Sequence, residues 1–142
     1  MPFQPHKLQA VVFDMDGLLI DSEALYLKSS VQSAKELGFE LSEDLYKSVI
    51  GMPDRIGKTL IREGMGPDFP IGEYYQRLSA NLKQEFEFHV PVKTGVRELL
   101  SLLKEFNLPI AVATSNTRKT AEHHFSRAEL LPYFKTIVTS DD

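Results

Sequence analysis

Two carboxylates one residue apart, followed by glycine, close the apolar run Val11-Val12-Phe13-Asp14-Met15-Asp16-Gly17. In an extended strand alternate side chains share a face, which sets Asp14 and Asp16 on one side, roughly 7 Å apart along the chain. Acids so placed can serve as nucleophile and general acid or base, or can hold a hard cation. A calcium loop of the EF-hand kind needs further oxygen ligands at fixed spacing, and Leu18, Leu19 and Ile20 stand where those would be. The second candidate is Thr114-Ser115-Asn116, which follows the apolar Ile110-Ala111-Val112-Ala113 and offers hydroxyls together with the free N–H groups of a helix start. Ligands of open α/β sheets bind beyond the carboxyl ends of the strands. Carboxylates at one such end and hydroxyls at another suit a phosphate held by backbone and a metal held by oxygen.

The elements that must position these groups are legible from periodicity. Leu8 to Phe13 is short, apolar and rich in valine, which predicts a strand buried on both faces. Ser22 predicts the cap of a helix from Glu23 to about Leu37, with Leu27, Val31 and Ala34 on its stripe and Gly38 as its stop. Ser42 starts a short helix, Gly51-Met52-Pro53 breaks it, and Asp54 caps a third toward Gly64. From Ile71 to about Phe88 the spacing of Tyr75, Leu78 and Leu82 is helical. Residues 22 to 88 therefore read as all-helical. Beyond Val92, Thr94 is expected to cap a helix with Leu99, Leu102, Leu103 and Phe106 on its apolar face and Asn107 at its end. Pro109 to Ala113 reads as a second buried strand, Arg118 to Leu130 as a helix, and Thr136 to Thr139 as a third strand. Strand, helix and strand in alternation imply a parallel sheet.

Composition excludes several classes. The chain has 142 residues, 42% apolar and 25% charged, enough for one ordinary domain or two small ones. A net charge of −4 without a Lys/Arg cluster argues against nucleic acid. The absence of cysteine removes disulfides, thiolate metal sites and a thiol nucleophile. Met1 to Lys7 carries no signal pattern and no apolar stretch is long enough to span a membrane, so the cytoplasm is the expected location. His6, His89, His123 and His124 lack metal-ligand spacing and read as surface residues.

Asp14-Met15-Asp16-Gly17-Leu18-Leu19-Ile20-Asp21-Ser22-Glu23 and, less specifically, Ala111-Val112-Ala113-Thr114-Ser115-Asn116 resemble the first two signatures of the haloacid dehalogenase-like superfamily. The likeness is to its phosphatase and phosphomutase branch. It implies a Rossmann-like α/β core with a parallel sheet, residues 1–20 and 90–142, and an inserted α-helical cap, residues 21–89. It further implies Asp14 as the nucleophile that accepts a phosphoryl group and Asp16 as the acid and base. Thr114 and the N–H of Ser115 would hold the phosphoryl oxygens, and Mg²⁺ would sit on the Asp14 side chain and the Asp16 carbonyl. In the insert Tyr26, Arg55 and Lys58 are the candidates for substrate contact. Tyr26 stands where sugar-phosphate mutases of the family carry a histidine, which favours a hydrolase of a small phosphorylated metabolite, a sugar or polyol phosphate, over a mutase. Asp21 is expected to brace the hinge, and Asp141 and Asp142 are not expected to ligate metal.

Relatives also carry a lysine and a distal acidic pair that no residue after Thr136 supplies. The expectation is the front part of a longer enzyme, weakly active or inactive by itself, with a first strand open to self-association or to completion by a further segment. A non-catalytic module that binds phosphate or another subunit is the rival from outside the enzymes.

Overall fold

The computed structural model describes residues 7–142, so the expectation for His6 lies outside the described residues. In chain order the elements are β1 (Val11–Phe13), α1 (Ser22–Glu36), α2 (Glu43–Val49), α3 (Asp54–Met65), α4 (Ile71–Phe88), α5 (Val96–Glu105), β2 (Ile110–Ala113), α6 (Arg118–Arg127) and β3 (Thr136–Val138). The chain forms two compact units, one from the residues up to Ser22 together with Glu87–Asp142, the other from Glu23–Phe86.

The first unit is α/β. Its sheet has the order β1-β2-β3, all parallel, with Val11 opposite Ile110, Phe13 opposite Val112, and Val112 opposite Ile137. Ile110 and Val112 on the central strand are buried, as are Leu100, Leu103, Phe125 and Leu130 from the surrounding segments. Parallel strands sheathed by helices explain the valine- and isoleucine-rich strand sequences. β1 is shorter than its apolar run, and Val12 is 65% exposed, against the expectation of burial on both faces. The reason is its place at the edge of the three-stranded order, where only β2 flanks it among the described residues.

Two further expectations shift in this unit. The residue before α5 is Gly95, with φ 84°, and not Thr94 as cap; the left-handed turn there is open to glycine without the Cβ clash. The buried face of α5 is Val96, Leu100 and Leu103, while Leu99, Leu102 and Phe106 are exposed. Leucines at four of five successive positions allow two stripes at helical period, and the buried Val96 selects the one through Leu100. α6 ends at Arg127 rather than Leu130, and Asn107 takes φ 54° where the chain leaves α5.

The second unit is helical, with its own core of Ala34, Leu41, Ile61, Phe69, Tyr74 and Leu78. Ser42 accepts the N–H of Leu45 at 3.2 Å, the cap its type predicts. Asp54 lies inside the first turn of α3 behind Pro53 and makes no capping bond. On α4 Tyr74 is the buried tyrosine and Tyr75 only half-buried. On α1 the buried stripe runs through Ser29, Ser30, Ser33 and Ala34 rather than Leu27 and Val31, which are partly buried. Asn81 of α4 donates to Ser33 at 3.0 Å, and Ser33 donates to the Ser29 carbonyl at 2.7 Å. Among the described residues no helix is long and apolar enough to cross a membrane.

Candidate active site

The alternation of β1 continues past its last pairing: Asp14 and Asp16 are exposed, and Met15 between them is fully buried. Met15 thus anchors the loop in the core and turns both acids outward. Asp14 Oδ1 accepts the N–H of Met15 at 2.7 Å, which fixes the carboxylate against its own backbone. Gly17, with φ 73°, turns the chain so that its N–H reaches the Ile20 carbonyl at 2.9 Å. Ile20 in turn bridges to Val92, and the N–H of Asp21 donates to the Pro91 carbonyl at 2.9 Å. Asp21 also pairs with Lys93 at 3.4 Å, so it ties together the two segments of this unit that border the helical insertion.

Thr114 follows β2, its N–H donating to the Val138 carbonyl at 2.9 Å. Its Oγ1 accepts from the Asn116 side-chain amide at 2.9 Å and from the Asn116 backbone N–H at 3.2 Å. The same amide donates to Asp16 Oδ2 at 2.5 Å. Asp16, Thr114 and Asn116 therefore form one hydrogen-bonded group at the carboxyl ends of β1 and β2, with Asp14 two residues from Asp16 and Ser115 exposed on the same loop as Thr114. Sequence placed Asn116 in this loop but gave it no role of its own, because its side-chain partner lies 100 residues away.

The start of α6 differs from the expectation of free N–H groups. Asp141 accepts the N–H of Arg118 at 2.7 Å and Thr117 accepts that of Thr120 at 3.3 Å. Arg118 forms paired bonds to Asp142 at 2.8 and 2.6 Å, and these bonds hold the Asp142 carboxyl down at about 2. Asp141 and Asp142 thus fasten α6 to the end of β3. His123 and His124 are partly buried on α6 and not simply surface residues. His123 meets Glu87 at 3.1 Å; burial, then the neighbouring His123, push His124 below its ordinary value, against the opposing pull of Asp16 and Glu87. Among the described residues no group of three acidic, histidine or cysteine side chains is arranged for a metal.

Within the helical unit Tyr26, Ser30, Asp54, Lys58 and Tyr75 line a cavity of about 260 Å³. Lys58 lies over the Tyr75 ring at 5.1 Å, and burial pushes the Tyr46 hydroxyl in the same wall up to about 12. Arg55 is exposed and does not line this cavity; of the three candidates for substrate contact the structure brings Tyr26 and Lys58 together there.

Residues 11–142 match the haloacid dehalogenase-like hydrolase family, and the chain belongs to it. A phosphorylated carbohydrates phosphatase of Thermotoga maritima is 31% identical over 134 residues, covering 94% of this chain and 62% of that protein. A phosphoglycolate phosphatase of Rhodobacter capsulatus is 29% identical over 138 residues, covering 93% and 62%. A solved Thermotoga maritima structure, provisionally described as a beta-phosphoglucomutase, superposes with a TM-score of 0.77 at 31% identity, covering 94% of this chain and 62% of that one. The chain thus spans about 62% of the length of these relatives.

Proposed function

We propose that the protein carrying this sequence is a Mg²⁺-dependent phosphomonoesterase acting on a small phosphorylated metabolite, a sugar or polyol phosphate, through a phosphoryl group carried on Asp14. The observation that supports this most is the convergence of Asp14, Asp16 and Thr114 at adjoining strand ends. Asp14, held through one oxygen by the Met15 N–H, attacks phosphorus with the other, and the ester P–O bond breaks. Asp16 gives its proton to the leaving oxygen. Water then attacks the phosphoryl group, Asp16 takes its proton, and the bond to Asp14 breaks to release inorganic phosphate. Thr114 donates to a transferring oxygen, the positioning that dominates this chemistry.

The Asp14 carboxylate and the Asp16 backbone carbonyl are hard oxygen donors of the kind Mg²⁺ accepts beside water and phosphate oxygens. Bound there, the ion would offset the repulsion between nucleophile and phosphate. In this reading the helical unit is the cap, and Tyr26, Lys58 and Asp54 on the wall of its tyrosine-lined cavity are its candidate polar contacts for substrate. Cytoplasmic location and the absence of nucleic-acid or membrane partners belong to the same reading.

The test is Asp14→Asn in the full chain. Turnover should fall to background while substrate still binds, and acid-quenched wild type should yield a phosphorylated Asp14 peptide that the variant lacks. Undiminished turnover would overturn the reading. A phosphomutase is the second reading, favoured by the description of the structural relative. It is separated by whether the phosphoryl group passes to water or back to a sugar.

A further inference from the structure

We propose that Asn116 is a positioning residue for this reaction: its amide commits the Thr114 hydroxyl to donating toward the transferring phosphoryl group and orients the Asp16 carboxylate. The inference rests on the reaction roles given above to Asp14, Asp16 and Thr114. The amide nitrogen is turned toward Asp16 Oδ2, which accepts from it and leaves Oδ1 to carry the proton that the acid gives. One amide hydrogen then reaches Asp16 at 2.5 Å and the other reaches Thr114 Oγ1 at 2.9 Å. The backbone N–H of Asn116 supplies a second bond to the same Oγ1 at 3.2 Å. A hydroxyl has two acceptor lone pairs and one proton. With both lone pairs taken, Thr114 keeps only its capacity to donate, and an anionic phosphoryl oxygen is the natural acceptor.

Asn116 is itself fixed. Its carbonyl accepts the N–H of Ser140 at 3.0 Å from the loop after β3, and its amide lies 3.9 Å from the sulfur of buried Met15. Loops from three parallel strands therefore meet at this residue. Asp16 is exposed and, without the amide, has its rotamers open to it. Aspartate at this position would offer no hydrogen and would repel Asp16.

Leaving-group chemistry separates positioning from mere structure. An alkyl phosphate needs a proton on its departing oxygen, whereas p-nitrophenyl phosphate expels an acidic phenol without help. Well-placed general acids are worth about 100-fold to 10,000-fold. Asn116→Ala and the isosteric Asn116→Asp, assayed in the full chain with Mg²⁺, should lower kcat for an alkyl phosphate by about 10-fold to 100-fold through the misplaced acid. The loss for p-nitrophenyl phosphate should be several-fold smaller. On the aryl substrate, what Asn116→Ala does lose should vanish in a Thr114→Val background, because both act through one hydroxyl. Equal losses for the two substrates, or full additivity with Thr114→Val, would overturn the proposal. Wild-type kinetics in both variants beside an inactive Asp14→Asn would overturn it alone; an active Asp14→Asn would overturn the reading beneath it. Circular dichroism checks folding, and if Asn116→Ala unfolds, Asn116→Asp carries the decision.

Discussion

Asp14 and Asp16 face outward because Met15 between them faces in, and Gly17 keeps them there by closing the turn to Ile20. At φ 73° a Cβ on residue 17 is opposed by the following carbonyl, a clash of about 1–2 kcal/mol. Gly17→Ala is therefore expected to lower stability by about that amount in a denaturant melt and to lower kcat as well, since Asp16 rides on the same turn. A variant as stable and active as the parent would show that the turn does not set the acid. The two carboxylates and Thr114 were legible from residue type and spacing, because a strand's alternation and a strand-end loop are local properties. Asn116 was not, since its meaning lies in a bond to Asp16 across 100 residues. Sequence put Arg55 ahead of Lys58, and only the packing of the helical unit puts Lys58 rather than Arg55 on the cavity wall.

Elements record a different balance. α1 buries several serines, and while Ser33 is bonded, Ser29 Oγ has no hydrogen-bond partner among the described residues. An orphaned buried hydroxyl costs about 1–3 kcal/mol, and alanine is also the better helix former. Ser29→Ala should raise stability by about 1 kcal/mol or more, read as a higher denaturant midpoint at unchanged slope; a lower midpoint would mean that the hydroxyl is bonded. At the junction of β3 and α6 the sign of the pH effect follows from Asp142, whose carboxyl is lowered from 3.8 to about 2 by Arg118 and Thr139. The contribution is fully present above 3.8 and is lost as pH falls toward about 2. Amide exchange at the start of α6 should quicken over that window, and Asp142→Asn should show the faster exchange already at neutral pH. Element types and rough bounds followed from periodicity, but which stripe of α5 turns inward did not. Leu99, Leu100, Leu102 and Leu103 offer two faces, and only the folded structure shows that the one shared with Val96 is buried.

The whole chain carries two separate cores, one around Ile110, Val112 and Leu100, the other around Ile61, Phe69 and Tyr74. Each buries its own apolar set, so cooperative unfolding of the chain as one body is not guaranteed by packing alone. Spectroscopy can separate the two. There is no tryptophan, and of the five tyrosines Tyr26, Tyr46, Tyr74 and Tyr75 lie in the helical unit while Tyr133 lies in the α/β unit. Tyrosine fluorescence therefore reports chiefly on the first of these, and sheet and helix signals together report on both. Ile61 and Leu100 are 2% and 0% exposed, and cutting either to alanine removes about 2–5 kcal/mol from its core. Ile61→Ala should move the fluorescence transition to lower denaturant and leave a later portion of the circular dichroism transition in place. Leu100→Ala should do the converse, advancing the dichroism change that fluorescence does not follow. Coincident shifts of both signals in both variants would show instead that the two units unfold together and that coupling between them outweighs the difference between their cores.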